Sequence, residues 1–243
     1  MDLSNIIFNS LKYPFRNIAK LPIISILFIL ITITPIGYLL DNKIIIFIGV
    51  VAFFIFILIV PGFFLDVIKT GSRESSMFPS FNLVNSVYDS IRVLALRMVY
   101  MIVPALVFFI SLSTLGPASV NLLYEYKILS FLATFWTLTL VILVTYLVFE
   151  FLLFFAKARL AYLDSLSEAL KINRVIGDIR NIGIFNIIKW LIAMAILMVV
   201  ISFVSSFVLT IPYVGFLIDV CIIIPIMESI ANYSLGLLYS NIT

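Results

Sequence analysis

The sequence predicts an all-α, polytopic integral membrane bundle of six transmembrane helices plus three amphipathic interfacial helices. Three observations carry that prediction. Of the 243 residues, 64% are hydrophobic and only 11% are charged, with a mean hydropathy of +1.27, whereas soluble domains hold about 45–50% apolar residues. The apolar residues fall into six long, nearly uncharged blocks, and about 20 helical residues cross a hydrocarbon core of about 30 Å. Lysines and arginines gather in alternate connections between the blocks. The whole chain, 1–243, therefore reads as a single membrane-embedded domain, and an aromatic content of 15% suits lipid-facing and interfacial rings.

The first twenty residues lack the basic start, compact apolar core and small-residue cleavage site of a signal peptide, so the first span is read as a retained anchor. Within them Leu3, Ile7, Leu11, Phe15 and Ile18 recur every three or four residues. Lys12, Arg16 and Lys20 line another face, the pattern of an amphipathic helix lying in the membrane interface. The predicted spans are 22–40, 44–68, 96–115, 128–156, 184–210 and 214–238. Asp41-Asn42-Lys43 makes the first tight turn, and a short link around Ile211-Pro212-Tyr213 joins the last two spans. The fourth span is long enough to tilt or protrude. Two further amphipathic segments are expected. One covers about 80–96, with Val84, Val87, Tyr88, Ile91 and Leu94 on its apolar side. The other begins at Ser165-Leu166-Ser167-Glu168, which fits a capping box, and continues through Ala169, Leu170 and Ile176.

Each amphipathic segment precedes two spans, which admits a threefold internal repeat over about 1–70, 78–160 and 163–240. Orientation follows from charge. Thirteen of the 15 lysines and arginines flank one set of span ends, and only Lys43 and Lys127 flank the other. The positive-inside rule then puts both termini and the long connectors in the cytoplasm, with the chain in the cell membrane.

Composition also excludes. With no histidine, metalloprotease motifs, histidine acid–base chemistry and most zinc sites lose their usual donor, and no metal or cofactor is expected. The single Cys221 permits no intrachain disulfide and reads as a buried thiol. The few, scattered basic residues carry no nucleic-acid signal.

At the second connector Gly62-Phe63-Phe64-Leu65-Asp66-Val67-Ile68-Lys69 is followed by Phe78-Pro79-Ser80-Phe81, then Tyr88-Asp89-Ser90-Ile91-Arg92, Val99-Tyr100 and Pro104. This pattern resembles domain of unknown function 4013, a family of multi-pass membrane proteins found mainly in archaea. Ser167-Glu168-Ala169-Leu170-Lys171 resembles the family's second connector. The resemblance implies a polytopic membrane fold and brings no catalytic residues. The family's acidic patch before the Pro79 position is reduced here to Glu74 with Ser75 and Ser76, and Asp89-Ser90 stands where an Asp-Gly pair is common.

Ionisable groups inside spans are costly and therefore candidates for function. Glu228 lies about ten residues from the inner end of the last span, roughly 15 Å deep, with Asn232 one turn away on the same face. Glu150 lies roughly 10 Å deep, seven residues from Lys157. Asp219 and Asp66 sit nearer opposite surfaces. Glu150, Glu228 and Asn232 are thus the candidate intramembrane polar site, read either as a proton or cation site or as carboxyls paired structurally with bases such as Arg97 or Lys189. Lys12, Arg16 and Lys20 are the candidate interfacial residues for anionic lipid. The segment 163–180 has a second reading, as a dock for a cytoplasmic partner. Its Ser-Glu-Ala-Leu start is similar to the coupling loop of ATP-binding-cassette permeases, although Arg174 replaces that motif's glycine. No Gly-x-x-x-Gly pair and no intramembrane-protease setting occur. With no recognisable catalytic set, the expected function is a non-enzymatic membrane component organising lipid or a partner protein. The alternative is a small transporter or permease subunit using the intramembrane carboxylates. A membrane-embedded enzyme is the third class.

Overall fold

The computed structural model describes the backbone of residues 3–124, 128–212 and 214–240, and their side chains apart from 115–131. Lys127 and Tyr213, which the sequence reading used, lie outside the described residues. No strand occurs among the described residues; the chain is an all-α bundle. Helix α1 (Leu3–Arg16) leads through a 3-10 turn into α2 (Leu21–Leu39), and α3 (Lys43–Ser72) returns. Helices α4 (Leu83–Tyr124) and α5 (Ile128–Leu163) form the second hairpin. The short α6 (Leu166–Ala169) and α7 (Ile172–Ile182) lead to α8 (Ile184–Leu209). The last crossing is α9 (Val214–Ile218), a π-helical segment (Asp219–Ile223) and α10 (Ile224–Tyr239). Six helical stretches are long and apolar enough to cross a membrane: 18–39, 43–72, 83–114, 132–163, 184–209 and 214–239.

Local sequence explains the element ends. The Asn42 side chain accepts from the amides of Ile44 and Ile45 (3.0 and 3.3 Å) and so starts α3. Asn82 does the same for Val84 and Asn85 (3.1 and 3.2 Å) and starts α4. Such side chains satisfy amide donors that have no intrahelical acceptor. Gly183, at φ 89°, supplies the positive-φ corner between α7 and α8.

The predicted spans all appear, and three of the helices that carry them, α3, α4 and α5, are longer than expected. The segment 80–96 is no separate interfacial helix. From Leu83 it is continuous with the third span. Its polar face is turned into the bundle rather than up toward the head groups. Val84, Tyr88 and Ile91 point outward, whereas Ser86, Asp89, Ser90 and Arg92 are buried against the bundle. The physical reason is the solvent. Where the surroundings are hydrocarbon, polar groups gain partners only inside the protein.

The third segment departs as well. The expected capping box does not form, because Ser165 makes no side-chain cap and Glu168 pairs with Lys171 and Arg159 instead. Helix α7 turns Val175, Asp178 and Ile182 inward, leaving Ile176 exposed. In α1 the buried face is Ile6, Ser10, Tyr13 and Pro14, while Leu11, Phe15 and Ile18 form an exposed apolar edge.

Helix α3 is the hub, packing against α2, α4, α5 and α10. Phe63, Phe64, Leu65, Val67 and Ile68 are all buried, so its C-terminal half is covered all round. Its N-terminal half leaves Phe47, Phe54 and Leu58 exposed. Two glycine positions on α3 and α10 permit close crossings. A Cβ on Gly62 would lie 1.9 Å from the Ser86 carbonyl oxygen on α4, and one on Gly236 of α10 would lie 2.8 Å from the Gly71 Cα. The Gly62 amide donates to Ser90 Oγ at 2.7 Å.

Both termini meet the long connectors at one end of the bundle. Asn17 donates to the Ser76 carbonyl (2.9 Å), Lys20 to the Phe78 carbonyl (2.9 Å), and Ser240 to Glu74 (3.2 Å). The Tyr13 ring is stacked between Phe78 and Tyr233, with centroids at 5.0 and 3.9 Å. This fastens α1 to the bundle.

Candidate functional site

Three polar assemblies lie at or near that end. The first joins the residues that carry the sequence signature. Asp66 and Lys69 sit one turn apart on α3, and Asp89 and Arg92 one turn apart on α4. Lys69 Nζ lies 2.6 Å from Asp89, 3.3 Å from Asp66 and 3.5 Å from Asp164. Arg92 bonds Asp89 at 2.9 Å and Asp164 at 2.7 Å, and also grips the Asp164 carbonyl at 2.5 Å. Asp164 follows the end of α5 at φ 53°, a left-handed conformation that aspartate tolerates better than most residues. The Arg92 hydrogen bond holds the Asp164 carboxyl below the usual carboxylate range. The network is a clamp across α3, α4 and the end of α5. Around it lie a polar hollow of about 270 Å³ and a neighbouring one of about 440 Å³ that runs toward Arg73, Ser75 and Asn82.

A second assembly ties α5 to α6, α7 and α10. Arg159 pairs with Asp178 at 2.5 Å and with Glu168 at 3.3 Å, and the Tyr239 hydroxyl also donates to Asp178. Tyr100 donates to the Ala169 carbonyl at 3.0 Å. Lys171 at 2.5 Å is the main reason the Glu168 carboxyl is held below its ordinary range.

The third is a half-open crevice of about 330 Å³ bordered by α2, α3, α4, α5 and α10. Phe28, Phe56, Val60 and Phe64 give it apolar walls, while Arg97, Lys157, Glu228 and Asn232 line it with polar groups. This is where the sequence-predicted residues come together. Glu228 and Asn232 face the crevice on adjacent turns of α10, and Asn232 Nδ2 donates to Glu228 Oε2 at 3.1 Å and to its carbonyl at 2.8 Å. Glu150 stands beside it, accepting from Arg97 at 2.8 Å and from the Tyr146 hydroxyl at 2.9 Å. Glu150 and Glu228 are not bonded to one another: Glu150 pairs with Arg97, and Glu228 with its neighbour Asn232. Lys157 makes no ion pair or hydrogen bond among the described residues and senses Glu150 and Glu228 only at longer range.

The other singled-out residues lie apart. Asp219 accepts from Ser205 of α8 within the π segment. Lys12 sits 3.7 Å over the Phe8 ring, Lys20 is bound to Phe78, and Arg16 is exposed. Among the described residues no cluster of acidic and thiol side chains is placed to hold a metal ion. Sequence reasoning offered Arg97 as a base for the carboxyls but used Lys157 only as an orientation charge and a marker of depth. It missed the clamp, although the same acid-to-base spacing of three occurs on both α3 and α4.

No curated protein and no solved structure matches the chain. The profile of the family described as protein of unknown function (DUF4013) matches residues 45–210. That stretch contains the signature residues of α3 and α4 that build the clamp, and the connector that contributes Asp164, Glu168 and Asp178. A match over this much of the sequence makes the chain a member of that family.

Proposed function

We propose that this protein is a non-enzymatic membrane component that organises lipid. The observation that carries the reading is the half-open crevice. Apolar aromatic walls next to an arginine and an uncommitted lysine match an amphiphile with a charged head and a hydrocarbon tail. The exposed Phe8, Leu11, Phe15 and Ile18 edge of α1, bordered by Lys12, Arg16 and Lys20, supports the same reading at the membrane surface. The distribution of basic residues supports a cell-membrane location with both termini in the cytoplasm; a C-terminal reporter found outside the cell would reverse that orientation. The test of function is purification into native-lipid nanodiscs, followed by mass spectrometry of everything retained. A lipid held in near-stoichiometric amount, and lost in Lys157→Gln, is the expected result. A stoichiometric protein partner with no retained lipid would replace lipid organisation by a scaffold or subunit role.

A second reading is a small transporter or permease subunit, and one observation favours it: Glu228 faces the crevice while bonded, among the described residues, to its neighbour Asn232 alone. Substrate-dependent flux into proteoliposomes, abolished in a folded Glu228→Gln, would support transport over lipid organisation.

A further inference from the structure

The charges of the crevice narrow what it would hold. Arg97 and Glu150 neutralise one another at 2.8 Å. What remains is one ammonium, Lys157, and one carboxylate, Glu228, both lining the same space. They are not within the 4.0 Å of an ion pair. The two opposite charges border a half-open hollow with largely apolar walls without pairing, and their attraction is left unused. A ligand that carried an anion to one and a cation to the other would satisfy both.

The hydrogen-bonding capacity is equally specific. On the basic side, Lys157 offers three donors, and Arg97 retains guanidinium N–H groups beyond the one given to Glu150. That set suits phosphate oxygens. On the acidic side, Asn232 spends its amide nitrogen on Glu228, through the carbonyl and Oε2. Asn232 Oδ1 and Glu228 Oε1 are left as acceptors, which suits a cation that itself donates hydrogen bonds. Phe28, Phe56 and Phe64 line the same space with apolar walls.

Resting on the lipid-organising reading, we propose that the crevice is a site for a phospholipid whose head group joins a phosphate to a primary ammonium. The phosphate lies against Lys157 and Arg97, the ammonium against Glu228 and Asn232, and the first part of the acyl chains against the phenylalanines. A trimethylated ammonium offers no N–H to Glu228, and an anionic head group without an amine leaves that carboxylate unpaired.

The test is competitive retention. Delipidated protein is equilibrated with equal amounts of phosphatidylethanolamine, phosphatidylcholine and phosphatidylglycerol, then stripped gently and weighed by native mass spectrometry. The ethanolamine lipid should be retained about tenfold over each of the others, the scale of one charge-assisted hydrogen bond. Glu228→Gln should erase that preference while total retention persists, Glu228→Asp should restore it, and Lys157→Gln should lower retention of all three. Equal retention of the three lipids overturns the head-group assignment and leaves lipid organisation standing. Retention of none overturns both. Displacement of the lipid by an equal concentration of soluble phosphoethanolamine overturns the lipid source in favour of a soluble molecule. Should Glu228→Gln fail to fold, the competition in the unmodified protein decides alone.

Discussion

Replacing Gly62 with alanine should pry α3 from α4. The added Cβ would stand 1.9 Å from the Ser86 carbonyl oxygen and 2.6 Å from the Ser90 nitrogen, both backbone atoms that cannot swing aside. Non-bonded heavy atoms rest near about 3.5 Å, so the crossing must open by roughly 1.5 Å. Overpacking of this kind costs about 1–3 kcal/mol. Stretching the Gly62 amide bond to Ser90, now 2.7 Å, adds about 1 kcal/mol. The sum, about 2–4 kcal/mol, lowers the folded-to-unfolded ratio between roughly 30-fold and 1,000-fold. Reversible unfolding by dodecyl sulfate in mixed micelles, followed by circular dichroism, reads this directly. Gly177→Ala is the control, since nothing lies within 4 Å of a Cβ there; its gain in helix propensity should stabilise by about 0.5–1 kcal/mol. A Gly62→Ala protein as stable as the original would refute the close α3–α4 crossing.

Other consequences follow from the polar assemblies. Asp89→Ala removes a carboxylate that is 6% exposed and serves both Lys69 and Arg92; it should cost about 3 kcal/mol in the same unfolding assay, and a loss under 1 kcal/mol would count against the clamp. Asp164 has its carboxyl lowered by Arg92, so its contribution is full above the unfolded value near about 3.9 and is lost as pH falls through the lower folded value. The difference in melting temperature between the protein and Asp164→Asn should stay constant from about pH 7 to pH 5 and shrink below about pH 4; a difference that grows on acidification would contradict this sign. Trp190 donates to Ser234 at 2.9 Å in the buried α8–α10 contact. Trp190→Phe should therefore destabilise by about 1–3 kcal/mol, whereas Trp136→Phe, at a site exposed on α5, should be close to neutral.

The six crossings were legible because hydrocarbon-length apolar blocks have few other uses. The Asn42 turn was equally plain, since the polar triplet interrupts two such blocks. Less legible was which side of a helix faces inward. For 83–96 the alternation of polar and apolar residues was visible, but that the polar side meets the bundle rather than the head groups depends on Lys69 and Asp164, which lie far away in the sequence. The Glu228–Asn232 bond follows from a spacing of four, and Arg97 was a suitable partner for Glu150 by depth. Lys157 was not singled out because what marks it is the lack of an ion-pair partner among the described residues, and only packing reveals that. The Arg159–Asp178–Tyr239 contact joins residues 19 and 61 positions apart, a distance over which no local periodicity carries information.

The π segment at Asp219–Ile223 acts as a phase shifter. A π turn accommodates one residue more than its α-helical surroundings, and one residue is worth about 100° of rotation. At its first residue, Asp219 is aimed at Ser205 on α8. Beyond it, α10 is aimed at α3, with Gly236 seated on Gly71 and Glu228 turned into the crevice. Were the same residues wound as an uninterrupted α-helix, every later side chain would arrive about 100° out of step. Gly236 would swing off its seat and Glu228 would leave the hollow, although neither had been mutated. The last crossing therefore serves two neighbours that an unbroken helix would bring into conflict, and the length of the chain there is as specific as its composition.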